Sequence, residues 1–272
     1  MALTLMYITN EPDIARIVEE AGIDRVFIDL ETIGKEERQH NMDTVKSSHQ
    51  IEDIGKVRRA LTRAKLLVRV NKIYPGSEEE INEVIRQGAD IIMLPYFKTL
   101  DEVKTFLNIV DGRVTTTLLL ETPEAVGILD PLLEIPGIDE IHIGLNDLHL
   151  GYHRKFMFEL LADGTVEEIC YKIKKKETIR YGFGGIAALG RGALPAERII
   201  REHYRLGSSM AIVSRSFCDI GKMKDREEIR RIFEQGIADI RNYEKEVQEH
   251  WKYFEQNQQA IKEIVNRITG EI

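Results

Sequence analysis

Cysteine is scarce: the 272 residues hold only Cys170 and Cys218, in no CxxC or other metal-ligand spacing. That argues against a disulfide scaffold or a zinc ribbon and points to reduced thiols in a cytoplasmic protein. A basic excess is also lacking. Thirty-eight Lys and Arg against 46 Asp and Glu leave a net charge of −8, which argues against broad nucleic-acid or anionic-membrane binding, since either needs a cationic face. No apolar run approaches the ~20 residues of a membrane span. The opening MALTLMYITNEPD has neither the basic region nor the apolar length of a secretory leader. Internal repeats, low-complexity tracts and linkers are missing as well. What remains is 43% hydrophobic and 31% charged side chains, enough for a sizeable core, in a chain close to the ~250 residues of a single α/β barrel.

Short apolar runs recur at 3–8, 25–30, 66–71, 90–95, 115–121, 140–144, 181–187 and 210–214. Most are unbroken rather than alternating, as expected of strands covered on both faces. Between them lie segments with helical spacing and punctuation. Ile14, Ile17, Val18 and Ala21 precede Gly22, and Ile81, Val84 and Ile85 precede Gly88, each glycine standing where a helix would stop. Ser77 with Glu80 has the spacing of a capping box, and Thr122-Pro123 that of an N-cap followed by a first-turn proline. About eight strand–helix alternations predict a (β/α)₈ barrel over residues 1–223 in preference to a doubly wound sheet.

From about residue 224 a long helical stretch carries Ile229, Ile232, Phe233, Ile237, Ile240, Tyr243, Val247, Trp251, Phe254, Ile261, Ile264 and Ile268 on one stripe. This exceeds what an eighth barrel helix needs. Residues 224–272 are therefore expected to form a helical extension that covers its stripe on another subunit; folding back on its own barrel is the alternative.

In a barrel the C-terminal ends of the strands carry the chemistry. Here they are acidic: Asp29 and Glu31 after the second run, Arg69 and Asn71 after the third, Glu121 after the fifth, and Gly144, Asn146 and Asp147 after the sixth. Carboxylates on neighbouring strand ends suit a hard divalent cation such as Mg²⁺ or Mn²⁺, and an arginine opposite them suits a developing oxyanion. Each residue also has a plainer role open to it. Glu121 has the place of a cap for the next helix, Asp147 that of a turn residue, and Arg69 that of an ion-pair partner for Glu31.

The segments VFIDLE (26–31), LVRVN (67–71), GADIIMLPYFKTLDEV (88–103), LLLETPEAV (118–126) and IPGIDEIHIGLNDLHLG (135–151) resemble, in the same order, the HpcH/HpaI aldolase and citrate lyase β-subunit family. The likeness runs from about residue 11 to 220, and ETPEAV and GxNDL are its most specific parts. It implies a metal-dependent barrel enzyme that makes or breaks a carbon–carbon bond beside a 2-oxo acid such as pyruvate, or an acyl thioester in the citrate lyase branch. By position it implies Glu121 and Asp147 as metal ligands and Arg69 on the enolate oxygen. Backbone from Gly144 through Asn146 and Asp147 would hold the substrate carboxylate. Asp29 and Glu31 would orient Arg69 and metal-bound waters from behind. The family's hexamers with an exchanged C-terminal helix imply a homo-oligomer, a hexamer or trimer of dimers.

Three positions depart from the aldolase branch. Thr32 replaces the base histidine that follows the DxE, Arg86 replaces the acidic partner of that histidine, and Leu119 replaces a glutamine two before the metal glutamate. A changed base and a changed substrate are expected. The candidates for the base are His149, His40 or His49, and a metal-bound water. The charged insertion at 34–50 places Arg38 as a substrate contact above the barrel. A Schiff-base route would need a buried lysine at a strand end, for which Lys72 and Lys98 are the near candidates. Gly184, Gly185, Arg191, Ser214 and Arg215, around the seventh and eighth runs, form a candidate phosphate or anion pocket for a phosphorylated acceptor, with rim packing as the plain alternative for the glycines. The function expected is a divalent-metal-dependent lyase of the aldolase type. The alternatives are a citrate-lyase-like thioester lyase and a non-catalytic relative that binds an oxo acid.

Overall fold

The computed structural model describes residues 2–34, 49–223 and 225–270. Parallel strands close into a barrel in chain order: β1 (Thr4–Ile8), β2 (Arg25–Asp29), β3 (Lys65–Arg69), β4 (Ile91–Leu94), β5 (Thr115–Leu120), β6 (Glu140–Ile143), β7 (Arg180–Ile186) and β8 (Met210–Val213). Each lies on one of the eight apolar runs. β8 pairs with β1, Met6 opposite Ile212, so no sheet edge is left open. The runs are apolar on both faces because both faces are buried. Met6, Phe27, Leu67, Ile91, Met93, Leu119 and Met210 fill the barrel, while Val26, Ile28, Leu66, Val68, Ile92 and Leu94 meet the helices outside.

The crossovers are α1 (Pro12–Ala21), α2 (Ile51–Ala60), α3 (Ser77–Arg86) and α4 (Leu100–Val110) after β1 to β4. They continue with α5 (Pro123–Gly127) and α6 (Leu129–Leu132) after β5, α7 (Leu145–Gly151), α8 (Glu159–Ala162) and α9 (Thr165–Lys174) after β6, and α10 (Ala196–Leu206) after β7. Gly22 ends α1 in the left-handed region, φ +103°, and the Thr122 hydroxyl caps α5 by accepting the Ala125 N–H. The expected Ser77–Glu80 capping box does not form. Ser77 lies inside α3 and accepts the Tyr74 N–H, whereas Glu80 Oε1 accepts both N–H groups of Asn71 at the end of β3.

After β8 come α11 (Arg226–Glu249) and α12 (Phe254–Thr269). α11 packs against α1 and α10, burying Ile229, Phe233, Ile237, Ile240 and Val247, and so takes the eighth place in the helical ring. α12 lies on α8 and α10 with Ile261 and Val265 buried. Much of the stripe thus lies on the chain's own barrel, while Ile268, near the end of α12, stays exposed. Arg241 ties α11 to the start of the barrel through the Leu3 carbonyl, Asp24 and Glu244.

At the N-terminal end of the barrel Arg25 and Glu140 form a bidentate pair at 2.6 and 2.7 Å, both nearly sealed from solvent, with the Thr117 hydroxyl donating to Glu140 at 3.0 Å. A buried pair of this kind is held by its geometry; stripping either partner would strand a charge in the core. Among the described residues no helix is long and apolar enough to cross a membrane.

Candidate active site

Strand parity decides which side chains reach the barrel mouth. Side chains two apart share a face, so Phe27 and Asp29 on β2, Leu67 and Arg69 on β3, Leu119 and Glu121 at β5, and His142 and Gly144 at β6 all point inward. The second of each pair stands one level higher. A cavity of about 900 Å³ opens there, lined among others by Asp29, Arg69, Glu121, Gly144, Asn146 and Asp147.

Arg69 is clamped. Its Nε and Nη2 donate to the two oxygens of Asp29 at 2.9 and 2.8 Å, Nη1 stands 3.5 Å from Glu31, and the guanidinium lies 5.7 Å above the Phe27 ring. Although burial alone would lower its pKa, Asp29 and then Glu31 outweigh that and push it well above the ordinary arginine range, so the charge is permanent. Glu31 is buried behind Arg69 and does not itself line the cavity.

Glu121 is held from two sides. The Tyr96 N–H donates to Oε1 at 3.0 Å, and Tyr96 adopts φ +48° to present it, a left-handed conformation that costs a residue with a side chain about 1–3 kcal/mol. On the other side a Cβ at Gly144 would lie 2.8 Å from Glu121 Cβ and 2.9 Å from Oε2. Only glycine leaves that carboxylate its place. Asp147, in the first turn of α7, lines the same cavity.

These residues fit a divalent cation. The donors are oxygens, which Mg²⁺ and Mn²⁺ prefer. Among the lining side chains Glu11, Asp29, Glu121, Asp147 and Asp219 against Arg69 and Arg215 leave a formal excess of three negative charges. Among the described residues no group of three or more His, Cys, Asp or Glu side chains is gathered tightly enough to enclose a metal. Glu121 and Asp147 are the two carboxylates on this cavity that would hold such an ion.

The other predicted residues divide. Gly184, Gly185, Ser214 and Arg215 line the cavity. Arg191 does not; it is exposed in the loop between β7 and α10. Ser214 accepts the Ser216 N–H, so part of its hydroxyl capacity is used locally. His149 is also absent from the lining. It is buried in α7 with Nδ1 donating to the Leu145 carbonyl at 3.1 Å. Residues two apart on a helix point about 200° apart, so a turn that aims Asp147 at the cavity aims His149 away from it. His49 does line the cavity, and its Nδ1 accepts the Asp29 N–H at 3.0 Å, which puts the proton of the neutral ring on Nε2. Arg38 and His40 lie outside the described residues. Thr32 is exposed and donates to Asn71 Oδ1 through its N–H; Arg86 pairs on the surface with Glu83.

Neither Lys72 nor Lys98 lines the cavity. Lys98 pairs with Glu124 at 2.7 Å, and that hydrogen bond raises its pKa, the opposite of what a Schiff-base amine requires. Sequence reasoning missed one inward-facing group, within the apolar-looking run at 140–144. His142 is buried, lines the cavity, and has Nε2 3.2 Å from the Gly184 carbonyl. Its signal was parity with Glu140 and Gly144.

A parallel barrel with carboxylates and one clamped arginine at its C-terminal mouth carries its polar cluster at the end where (β/α)₈ barrels place their active sites. The chain matches the family model for HpcH/HpaI aldolase/citrate lyase over residues 3–170, more than half its length, and belongs to that family. No curated protein sequence matches it. Similar solved structures include an HpcH/HpaI aldolase/citrate lyase family protein from Burkholderia cenocepacia J2315, with TM-score 0.62, 14% identity and coverage of 88% of this chain and 95% of that one. The HpcH/HpaI aldolase from Desulfitobacterium hafniense DCB-2 gives TM-score 0.59 at 16% identity, covering 88% and 93%. The citrate synthase SbnG gives 0.57 at 16%, covering 89% and 94%. At such identities the likeness speaks for the fold.

Proposed function

We propose that the protein is a divalent-metal-dependent carbon–carbon lyase of the pyruvate aldolase type, acting on a 2-oxo acid through its enolate. The observation that carries this reading is the convergence of Glu121, Asp147 and Arg69 on one cavity, with carboxylate charge in excess. An Mg²⁺ or Mn²⁺ ion held by Glu121 and Asp147 would polarise the 2-oxo group. Arg69, kept cationic and oriented by Asp29 and Glu31, faces the charge that develops on the enolate oxygen when the C3–C4 bond of a 4-hydroxy-2-oxo acid breaks: its electron pair enters the C2–C3 unit, C4 becomes a carbonyl, and the hydroxyl proton passes to water in the open cavity. Because the guanidinium is already fixed by two hydrogen bonds, little reorganisation accompanies that charge. The first-turn amides of α7 near Asn146 and Asp147 have no earlier helical carbonyl to bond and suit a substrate carboxylate. Gly184, Gly185, Ser214 and Arg215 extend the cavity on the far side, where an anionic group of the second substrate would sit.

The test is hydrogen exchange at the methyl group of pyruvate in D₂O, followed by proton NMR with Mg²⁺ or Mn²⁺ and again with EDTA. Exchange that EDTA abolishes and Glu121→Gln removes is the expected result. Exchange that survives EDTA and is trapped by borohydride would overturn the metal reading in favour of a lysine.

A further inference from the structure

The ladder between β2 and β3 makes its last backbone bond from the Leu30 N–H to the Arg69 carbonyl, at 2.9 Å. Beyond it the two chains part, and one side chain bridges them. Asn71 Oδ1 accepts the Thr32 and Ile33 N–H groups, both at 2.9 Å. Asn71 Nδ2 donates to Glu80 Oε1 at 2.8 Å, and the same oxygen accepts the Asn71 backbone N–H at 3.1 Å. Glu80 stands in the first turn of α3. A carboxylate only accepts, so it decides which way round the buried Asn71 amide lies: nitrogen toward α3, oxygen toward the turn after β2. That turn carries Glu31, whose Oε2 stands 3.5 Å from Arg69 Nη1. Asp29 lies within its strand and is registered by the ladder itself, opposite Arg69. Glu31 lies past the last ladder bond, and its backbone is held on one side by Asp29 Oδ1, which accepts its N–H at 3.1 Å, and on the other by what Asn71 grips.

We propose that Asn71, oriented by Glu80, is a positioning residue for Arg69: by gripping Thr32 and Ile33 it keeps Glu31 on Nη1 and so fixes the direction in which the guanidinium faces the cavity. Its part in the reaction rests on the enolate reading above; its effect on Arg69 does not. Neither Asn71 nor Glu80 lines the cavity, so both act through Arg69 and touch no substrate. The two carboxylates thereby divide the work. Asp29 binds Nε and Nη2 and fixes the plane of the fork, while Glu31 fixes its remaining corner. Loss of the Asn71 grip should free that corner and leave the Asp29 contact in place.

The experiment reverses one hydrogen bond. Asn71→Asp keeps an acceptor for the turn but sets an oxygen against Glu80, and the two carboxylates repel. Adding Glu80→Gln supplies an amide that donates where the glutamate accepted, so the double variant should recover what the single one loses. In ¹⁵N-arginine-labelled protein the two protons of Arg69 Nη1, assigned by their disappearance in Arg69→Lys, should give separate NMR signals in the wild type. They should merge through free rotation in Asn71→Asp and separate again in the double variant. Glu80→Ala, which adds no charge, should merge them too and serves if Asn71→Asp folds poorly. In the Mg²⁺-loaded enzyme Asn71→Asp should lower kcat for pyruvate methyl exchange at least about tenfold with KM unchanged, because Arg69 meets a charge that only the enolate carries. A purely structural role would shift the melting temperature and move neither readout. Unaltered Nη1 signals in folded Asn71→Asp or Glu80→Ala, or a double variant that restores nothing, overturns this inference. Wild-type protein that fails to exchange pyruvate overturns the enolate reading instead, and the Nη1 signals still decide whether Asn71 positions Arg69.

Discussion

Gly144 and Glu121 are fitted to each other across β5 and β6: a methyl group on the glycine would press to within 2.8 Å of the glutamate's Cβ and 2.9 Å of its Oε2. Gly144→Ala should therefore swing the carboxylate out of place while the barrel, closed by all eight strands, remains folded. Mn²⁺ affinity, measured by calorimetry, should fall about 10- to 100-fold, the range seen when groups supporting a metal ligand are disturbed. An unchanged far-ultraviolet circular dichroism spectrum would locate the loss at the site.

Arg69→Lys keeps a positive charge beside Asp29 and Glu31 but loses the two-pronged contact and the fixed direction of the fork. Methyl exchange of pyruvate should slow about 100-fold, the order expected for losing one oriented donor, with a smaller change in urea stability. Arg69→Ala should differ in kind. Leaving two buried carboxylates unmatched costs about 3–5 kcal/mol, which the same urea titration would read.

The excess of carboxylate charge makes a prediction about stability in the absence of metal. Glu121→Gln removes one of the crowded negative charges, so the metal-free variant should melt no lower than the metal-free wild type. Mg²⁺ or Mn²⁺ should raise the melting temperature of the wild type, as any ligand of the folded state does, and leave that of the variant unmoved. Calorimetric scans with and without EDTA give all four values.

Acid sensitivity follows from two buried imidazoles. Burial pushes His142 down to about 4 and His203 down to about 3, below the ordinary ~6.5 of the unfolded chain. Below pH ~6.5 the unfolded chain takes up protons that the folded protein refuses, so stability is fully present above that pH and declines as pH falls toward the folded values. Between pH 7 and 5 the decline is about 2 kcal/mol per histidine. His203 stacks on Phe183 at 3.9 Å, so His203→Phe keeps the ring contact. It should shrink the stability difference between pH 7 and pH 5, read by urea titration, by about that amount.

The strands were legible because a parallel barrel buries both faces of each one, and that writes eight apolar runs into the chain. Arg69, Glu121 and Asp147 were legible as polar residues that end such runs. His149 misled because spacing along the chain says nothing of direction until α7 is known to be a helix, on which two residues span more than half a turn. The C-terminal stripe declared that it needed cover; that α1, α8 and α10 of the same chain supply part of it depends on long-range packing that periodicity does not encode. His142 was hidden for the opposite reason. It sits within an apolar-looking strand, and only the inward parity of Glu140, His142 and Gly144 marks it.

The Arg25–Glu140 pair, with Met210 beside it, closes the lower end of the barrel under the layer of Met6, Leu67 and Ile91. The cavity above is therefore closed at its lower end. A molecule seated at that end is covered by whatever binds above it, so it enters first and leaves last. For a two-substrate reaction this imposes a strict queue, and steady-state kinetics should show ordered binding, with the outer component competing only for protein already occupied below.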